Sequence, residues 1–324
     1  KFNLTSDDAL YYINIALNLS KQKTSPKYAS KFFTKAIYLH TKIIKETKGL
    51  DIAIQKMEEH INEHCGGALN FNCFAPHEKS AFLGALFYRE GSYKWAERIY
   101  KFHTETIKFL LIEENTNEDN MEYFKLMLSQ SHYILGMIKL KQGHFDNARQ
   151  NFYDAVATIP NDCPFDNIWI KPQFIKQRIG ECYFKSQNYV HAQKIYRKLF
   201  NDDFVLDYDK LRWQYSNLSM LALSEFLSEN IDSAKFHFDI VEKNYDDINF
   251  VDASTEYYYI DWPLYQFHSA RGNSKKALYY LTAAYNHIPE DERKDYLTDD
   301  KRMEHLHKYY YIHEIIEEYN QHIR

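Results

Sequence analysis

The sequence predicts an all-α protein built as a solenoid of antiparallel helix pairs and closed by a C-terminal capping helix. Three observations predict it. Gly (9) and Pro (7) together make about 5% of the 324 residues, where roughly 12% is usual. Breaks in regular structure are therefore scarce, which argues against turn-dense sandwiches and barrels. The chain is 45% hydrophobic and 17% aromatic, with 28 Tyr and 22 Phe. It can bury a core, and its rings suit helix–helix interfaces where a hydroxyl reaches a polar partner. Finally, one pattern of small and aromatic residues recurs along the chain.

The elements follow in order. Asp7 to Leu19 reads as a first helix, paired with YASKFFTKA, which carries Ala29, Phe33 and Ala36. Asp51 to His64 reads as an extra helix outside the register, with Gly66-Gly67 as its stop. GALFYREGSYKWAERIY then gives Gly84, Phe87, Gly91, Tyr93, Ala96 and Tyr100. The best copy runs from Ser131 to Pro160, with Gly136, Gly143, Phe145, Ala148, Phe152, Ala155 and Pro160. Gly136 and Ala148 let two helices approach. Gly143 ends the first helix in the left-handed conformation. Ala148, Phe152 and Ala155 share one face of the second, and Pro160 stops it. Further copies hold Gly180, Tyr183, Tyr189, Ala192 and Tyr196, then Ala222, Ala234 and Phe238, then Gly272, Ala277, Leu281, Ala284 and Pro289. The key alanines fall at 96, 148, 192, 234 and 277, in steps of 52, 44, 42 and 43. Polar loops are expected at Glu113–Asn120, Pro160–Pro172, Asn201–Asp209 and Tyr245–Asp252. Asp261 with Pro263 marks a helix start. Thr298 to Ile323 reads as the cap, with Leu306, Tyr309, Tyr310, Ile312, Ile315, Ile316 and Tyr319 inward and Glu314, Glu317 and Glu318 in water.

The small–aromatic–small–Pro pattern resembles the tetratricopeptide repeat, a helix–turn–helix unit of about 34 residues. The resemblance is best over Ala81 to Pro289, and the steps here are longer than the consensus. It implies a right-handed superhelix. The expected division is residues 1–65 as N-terminal helices, 66–290 as repeat solenoid and 291–324 as cap, in one continuous solenoid. In this family the first helix of each pair lines a concave groove. Counting from the small residue then gives Tyr133, Met137, Gln177, Arg178, Glu181, Met220, Trp262 and Gln266 as partner-binding positions, with Lys185 also on the inner face; for Met137, Met220 and Trp262 the alternative is interhelical packing. Chaperone-binding members carry a Lys/Asn/Arg carboxylate clamp. The corresponding places here hold Tyr133, Met137 and Arg178, so that clamp is not reproduced.

Composition and motifs restrict the function. Lys+Arg number 40 and Asp+Glu 45, a net charge of −5, which gives no support for a nucleic-acid partner. No apolar run is long enough to span a membrane, and the opening residues KFNLTSDDAL hold no signal-peptide core. Localisation stays open. His60, His64, Cys65, Cys73 and His77 carry metal-ligand chemistry, and three readings stand: a structural zinc, a Cys65–Cys73 bridge or an inert helix end. With Cys163 and Cys182, the four cysteines fit two disulfides or buried thiols. No phosphate loop, nucleophile elbow or zincin motif appears. The chain is therefore expected to be a non-enzymatic scaffold without cofactor, binding a protein or peptide in the groove. The alternative is an enzyme or a small-ligand or signal-peptide receptor with a pocket between repeats. A homo-oligomer joined through aromatic convex faces is the third reading.

Overall fold

The computed structural model describes residues 6–20, 26–69, 75, 78–113, 118–159, 171–202, 210–248, 256–288, 290, 293 and 310–323. Every described element is helical, and consecutive helices pack in pairs. The chain divides into two compact units: Lys1–Ile138 with Ala157–Cys163, and Lys139–Val156 with Pro164–Arg324.

The first unit holds α1 (Ser6–Ser20), α2 (Pro26–Lys48), α3 (Leu50–Cys65), α4 (Glu78–Arg89), α5 (Tyr93–Glu113) and most of α6 (Glu118–Lys141). Helix α2 packs on α1, α3 and α4, and α4 packs on α5. Phe33, Met57, Phe87, Ala96 and Ile138 belong to one buried cluster. The extra helix is present, and Gly66 ends it in the left-handed conformation with φ 64°. Helix α6 begins at Glu118, inside the segment expected as a polar loop.

The second unit holds most of α7 (Phe145–Thr158), then α8 (Pro172–Lys185), α9 (Tyr189–Phe200), α10 (Lys210–Leu227) and α11 (Ile231–Lys243). A short helical turn at Tyr245–Asp247 leads to α12 (Glu256–Tyr259), α13 (Asp261–Ala270), α14 (Ser274–His287) and α15 (Tyr310–Ile323). Helix α9 packs between α8 and α10, α10 also packs on α11 and α13, α13 on α14, and α14 on α15. Asp261 is the first residue of α13 rather than its cap, which is Ile260. The Asp261 carboxylate is taken instead by Tyr245 and His287.

One turn is repeated five times. Gly91, Gly143, Gln187, Glu229 and Gly272 have φ of 76°, 75°, 60°, 66° and 71°. Each stands five residues before a key alanine: Ala96, Ala148, Ala192, Ala234 or Ala277. The residue after the turn donates its N–H back to a carbonyl five residues earlier: Ser92 to Phe87, His144 to Lys139, Asn188 to Tyr183, Asn230 to Glu225 and Asn273 to His268, all at 2.8–2.9 Å. These bonds satisfy carbonyls that a helix end leaves open. The same residue then accepts the alanine N–H and starts the second helix. The first four alanines are fully buried and Ala277 is 5% exposed. Behind the turn, a Cβ on Gly84 would stand 2.8 Å from the Tyr100 ring, and one on Gly180 would stand 3.0 Å from the Tyr196 ring. Only glycine admits the partner ring at that distance.

Pro160, Pro289, Leu306 and Tyr309, named from the sequence, lie outside the described residues, as does 298–309 of the expected cap. Ile315 and Ile316 of α15 are buried as expected. Glu314 and Glu318 do not simply face water: they accept hydrogen bonds from Lys185, Tyr258 and Tyr265 of the same unit.

Candidate functional site

Helix α8 builds the polar centre of the second unit. Arg178 and Glu181 are three residues apart, so they share a face. Their side chains pair at 2.9 Å, with exposures of 12% and 0%. Arg178 also donates to the Tyr259 hydroxyl oxygen, and that hydroxyl donates to Glu181 at 2.7 Å. The buried carboxylate is thus held by one cation and one hydroxyl, as a charge inside a protein requires. Gln177, also buried, donates to Asn217 at 3.3 Å, and Asn217 donates to the Trp213 carbonyl. Cys182 is a free, buried thiol beside this network, and burial pushes its pKa up.

One turn further along α8 the chemistry reaches the surface. Lys185 donates to Glu314 of α15 at 2.9 Å, and its ammonium lies 5.2 Å from the Tyr258 ring centre. Tyr258 donates to the other Glu314 oxygen at 3.3 Å, and Tyr265 donates to Glu318. Tyr319 stacks on Tyr285 with ring centres 3.8 Å apart. Helices α8, α12 and α13 thus present an ammonium and two hydroxyls to an acidic helix.

Three further carboxylates tie hairpins together. Glu225 accepts from Arg197 and lies 2.6 Å from His237. Glu242 accepts from Lys276 and Tyr280 and lies 3.0 Å from His268. Burial alone would raise the Glu242 carboxyl, but His268, Lys276 and Tyr280 together hold it at about 2. Asp261 is fully buried, and there burial wins: its carboxyl is pushed up despite His287 and Tyr245.

The expected groove residues are mostly not at a surface. Tyr133 and Met137 lie in the first unit and the other six in the second. Met137, Gln177, Glu181, Met220 and Trp262 are each under 8% exposed. Met220 belongs to the core, and Trp262 packs on Tyr265 with ring centres 5.0 Å apart. Tyr133, Arg178 and Gln266 are half-buried. The reason for the difference is that first helices are covered on two sides. In α10, residues 216–225 are buried without a break. Lys185 is on the inner face as counted from Gly180, Glu314 was expected in water, and Tyr258 and Tyr265 are outside the expected set. The Glu181–Lys185 and Glu314–Glu318 spacings mark one face of each helix, but no local pattern marks Tyr258 or Tyr265.

His60 and His64 point into α2: His60 meets the His40 ring at 4.9 Å and His64 meets Phe33 at 4.0 Å. Cys65 is disulfide-bonded, and its partner lies outside the described residues, as do Cys73, His77 and Cys163. Among the described residues, no cluster of three or more His, Cys, Asp or Glu side chains converges as metal ligands would. No described helix is long and apolar enough to cross a membrane. An open depression of about 540 Å³ runs along α14 beside Leu278, Tyr279 and Asn286. Its walls come from that one helix, so it gathers no converging set of polar groups.

No protein-family model matches the chain, and no curated protein matches it in sequence.

Proposed function

We propose that this chain is a non-enzymatic protein-interaction scaffold of the tetratricopeptide-repeat type, a right-handed superhelical array that binds a peptide or partner helix. The observation that carries the reading is the fivefold turn, with one left-handed residue at a fixed distance before a buried alanine each time. A chain that repeats one hairpin is organised to extend a surface, as stacked repeats do. The buried carboxylates support the same reading. Each is saturated by partners from neighbouring elements, which suits holding hairpins in place rather than turning over a substrate.

The binding face is assigned to α8, α12 and α13 in the second unit, with Arg178 fixing Tyr259 from below and Lys185, Tyr258, Tyr265 and Gln266 toward the partner. Met137, Gln177, Glu181, Met220 and Trp262 support the scaffold from inside. A photo-crosslinking residue at Gln266 is expected to capture a discrete protein or peptide in native lysate. The same group at Phe236, which is 63% exposed on α11, is expected not to. Equal capture at both positions, or none at Gln266, would remove the assignment.

A further inference from the structure

We propose that the face formed by α8, α12 and α13 is a receptor for an acidic amphipathic helix, and that α15 is its resident occupant. The inference rests on the scaffold reading and names the partner's chemistry.

Toward Glu314 and Glu318 the receptor side offers three donors: the Lys185 ammonium and the Tyr258 and Tyr265 hydroxyls. Helix α15 answers with acceptors at one spacing, Glu314 and Glu318, four residues and about one turn apart. Ile315, Ile316 and Tyr319 form the adjoining apolar strip, with both isoleucines buried and Tyr319 stacked on Tyr285. An acidic edge beside an apolar strip is therefore the shape and charge that this face accepts. Helices laid by one side into such a surface are read through anchors three and four apart.

The clasp is built for exchange. Lys185 and Glu314 keep 19% and 38% of their side-chain surface in contact with solvent. The Arg178–Glu181 pair beneath is sealed at 12% and 0%. Solvated ion pairs contribute little net affinity, so the outer pair selects the ligand's charge while the inner pair keeps the receptor's shape. Residues 289–309 join α14 to α15. Tethering raises its local concentration to the millimolar range. An outside helix must compete with that, and it succeeds by presenting the same pattern as Glu314-Ile315-Ile316-Glu317-Glu318-Tyr319 with better contacts.

The test uses the full chain and a fluorescein-labelled peptide of residues 310–323, followed by anisotropy. The wild-type chain is expected to bind the peptide weakly, because the face is occupied. The Ile315→Asp/Ile316→Asp chain is expected to bind about tenfold tighter or more. Ile315→Ala/Ile316→Ala is the milder release variant, used if circular dichroism shows that the first has lost helix. Lys185→Glu in the released background is expected to weaken binding about fivefold or more, and a peptide carrying Glu314→Lys is expected to restore it. No binding to a folded released chain at about 1 mM peptide would overturn the proposal, and so would a Lys185→Glu loss that the charge-swapped peptide does not restore. Concentration-dependent dimers of wild type that vanish in the released variant would show a second copy as the occupant, which overturns the partner named here. If the peptide fails while Gln266 still cross-links a protein, only this inference falls and the scaffold reading stands.

Discussion

Glu242, half-buried, and Asp261, fully buried, each have a histidine beside them, yet they respond to pH in opposite directions. Glu242 gathers three donors and its carboxyl is held at about 2. Its contribution to stability is complete above the unfolded carboxylate value near 4.5 and is lost as pH falls toward 2. A shift of that size is worth on the order of 3 kcal/mol. Asp261 is raised, chiefly by burial. Its contribution is complete below the unfolded value and is lost as pH rises through the folded one. We expect Glu242→Gln to flatten the acid limb of stability between about pH 4.5 and pH 2, and Asp261→Asn to cost less than Glu242→Gln at neutral pH. Urea titrations at a series of pH values check this, and parallel acid limbs for wild type and Glu242→Gln would contradict it. His40 gives a third response. Burial first, then His60, Lys56 and Lys48, hold its ring at about 4. The neutral ring is favoured in the fold, so its contribution is lost as pH falls from about 6.5 toward 4. In His40→Gln the melting temperature should fall less over that interval than in wild type, and an NMR titration of His40 that gives an ordinary value would count against the assignment.

The hairpin is the element that repeats, and its turns are not equally comfortable. Gly91, Gly143 and Gly272 adopt the left-handed conformation without steric cost, whereas Gln187 and Glu229 hold it with side chains. Gln187→Gly and Glu229→Gly should each stabilise the chain by about 0.5–1 kcal/mol, read as a higher denaturation midpoint. A lower midpoint would mean that those side chains stabilise the turn in another way. Gly84→Ala and Gly180→Ala should each destabilise by about 1–3 kcal/mol, because the new methyl meets Tyr100 or Tyr196 in a packed interior. The three glycine turns, the close approaches and the buried alanines were legible in the sequence because they depend on residues with one physical talent each. The turns at Gln187 and Glu229 were not, since the backbone conformation there is imposed by the helices on either side. The positions of Gln177, Arg178 and Glu181 on α8 could be counted from Gly180, but their surroundings could not. Periodicity finds the face of a half-buried helix, and it loses direction where a helix is covered nearly all round, as α10 is.

At the scale of the whole molecule, the amphipathic pattern of α15 announced a capping helix but not what it grips. Read as a strip of isoleucines backed by acid, it sends Glu314 and Glu318 to water. Their bonds to Lys185, Tyr258 and Tyr265 come from residues 53 to 129 positions away in sequence, which no local pattern encodes. The division of the chain at Ile138 and Lys139, inside α6, is likewise a product of packing rather than of composition. In the second unit the hairpins from α8 to α14 form a base tied together through Glu181, Glu225, Glu242 and Asp261, and α15 rests on it by two buried isoleucines and a solvated clasp. That arrangement predicts two levels of stability in one unit. Amide hydrogen exchange on the full chain reads them directly. The amides of α8, α10, α13 and α14 should exchange together and slowest, those of α15 faster, and an excess of peptide 310–323 should speed α15 further while leaving α8 and α13 protected. Exchange of α15 as slow as α13 and unmoved by the peptide would contradict a helix-binding face with a displaceable occupant.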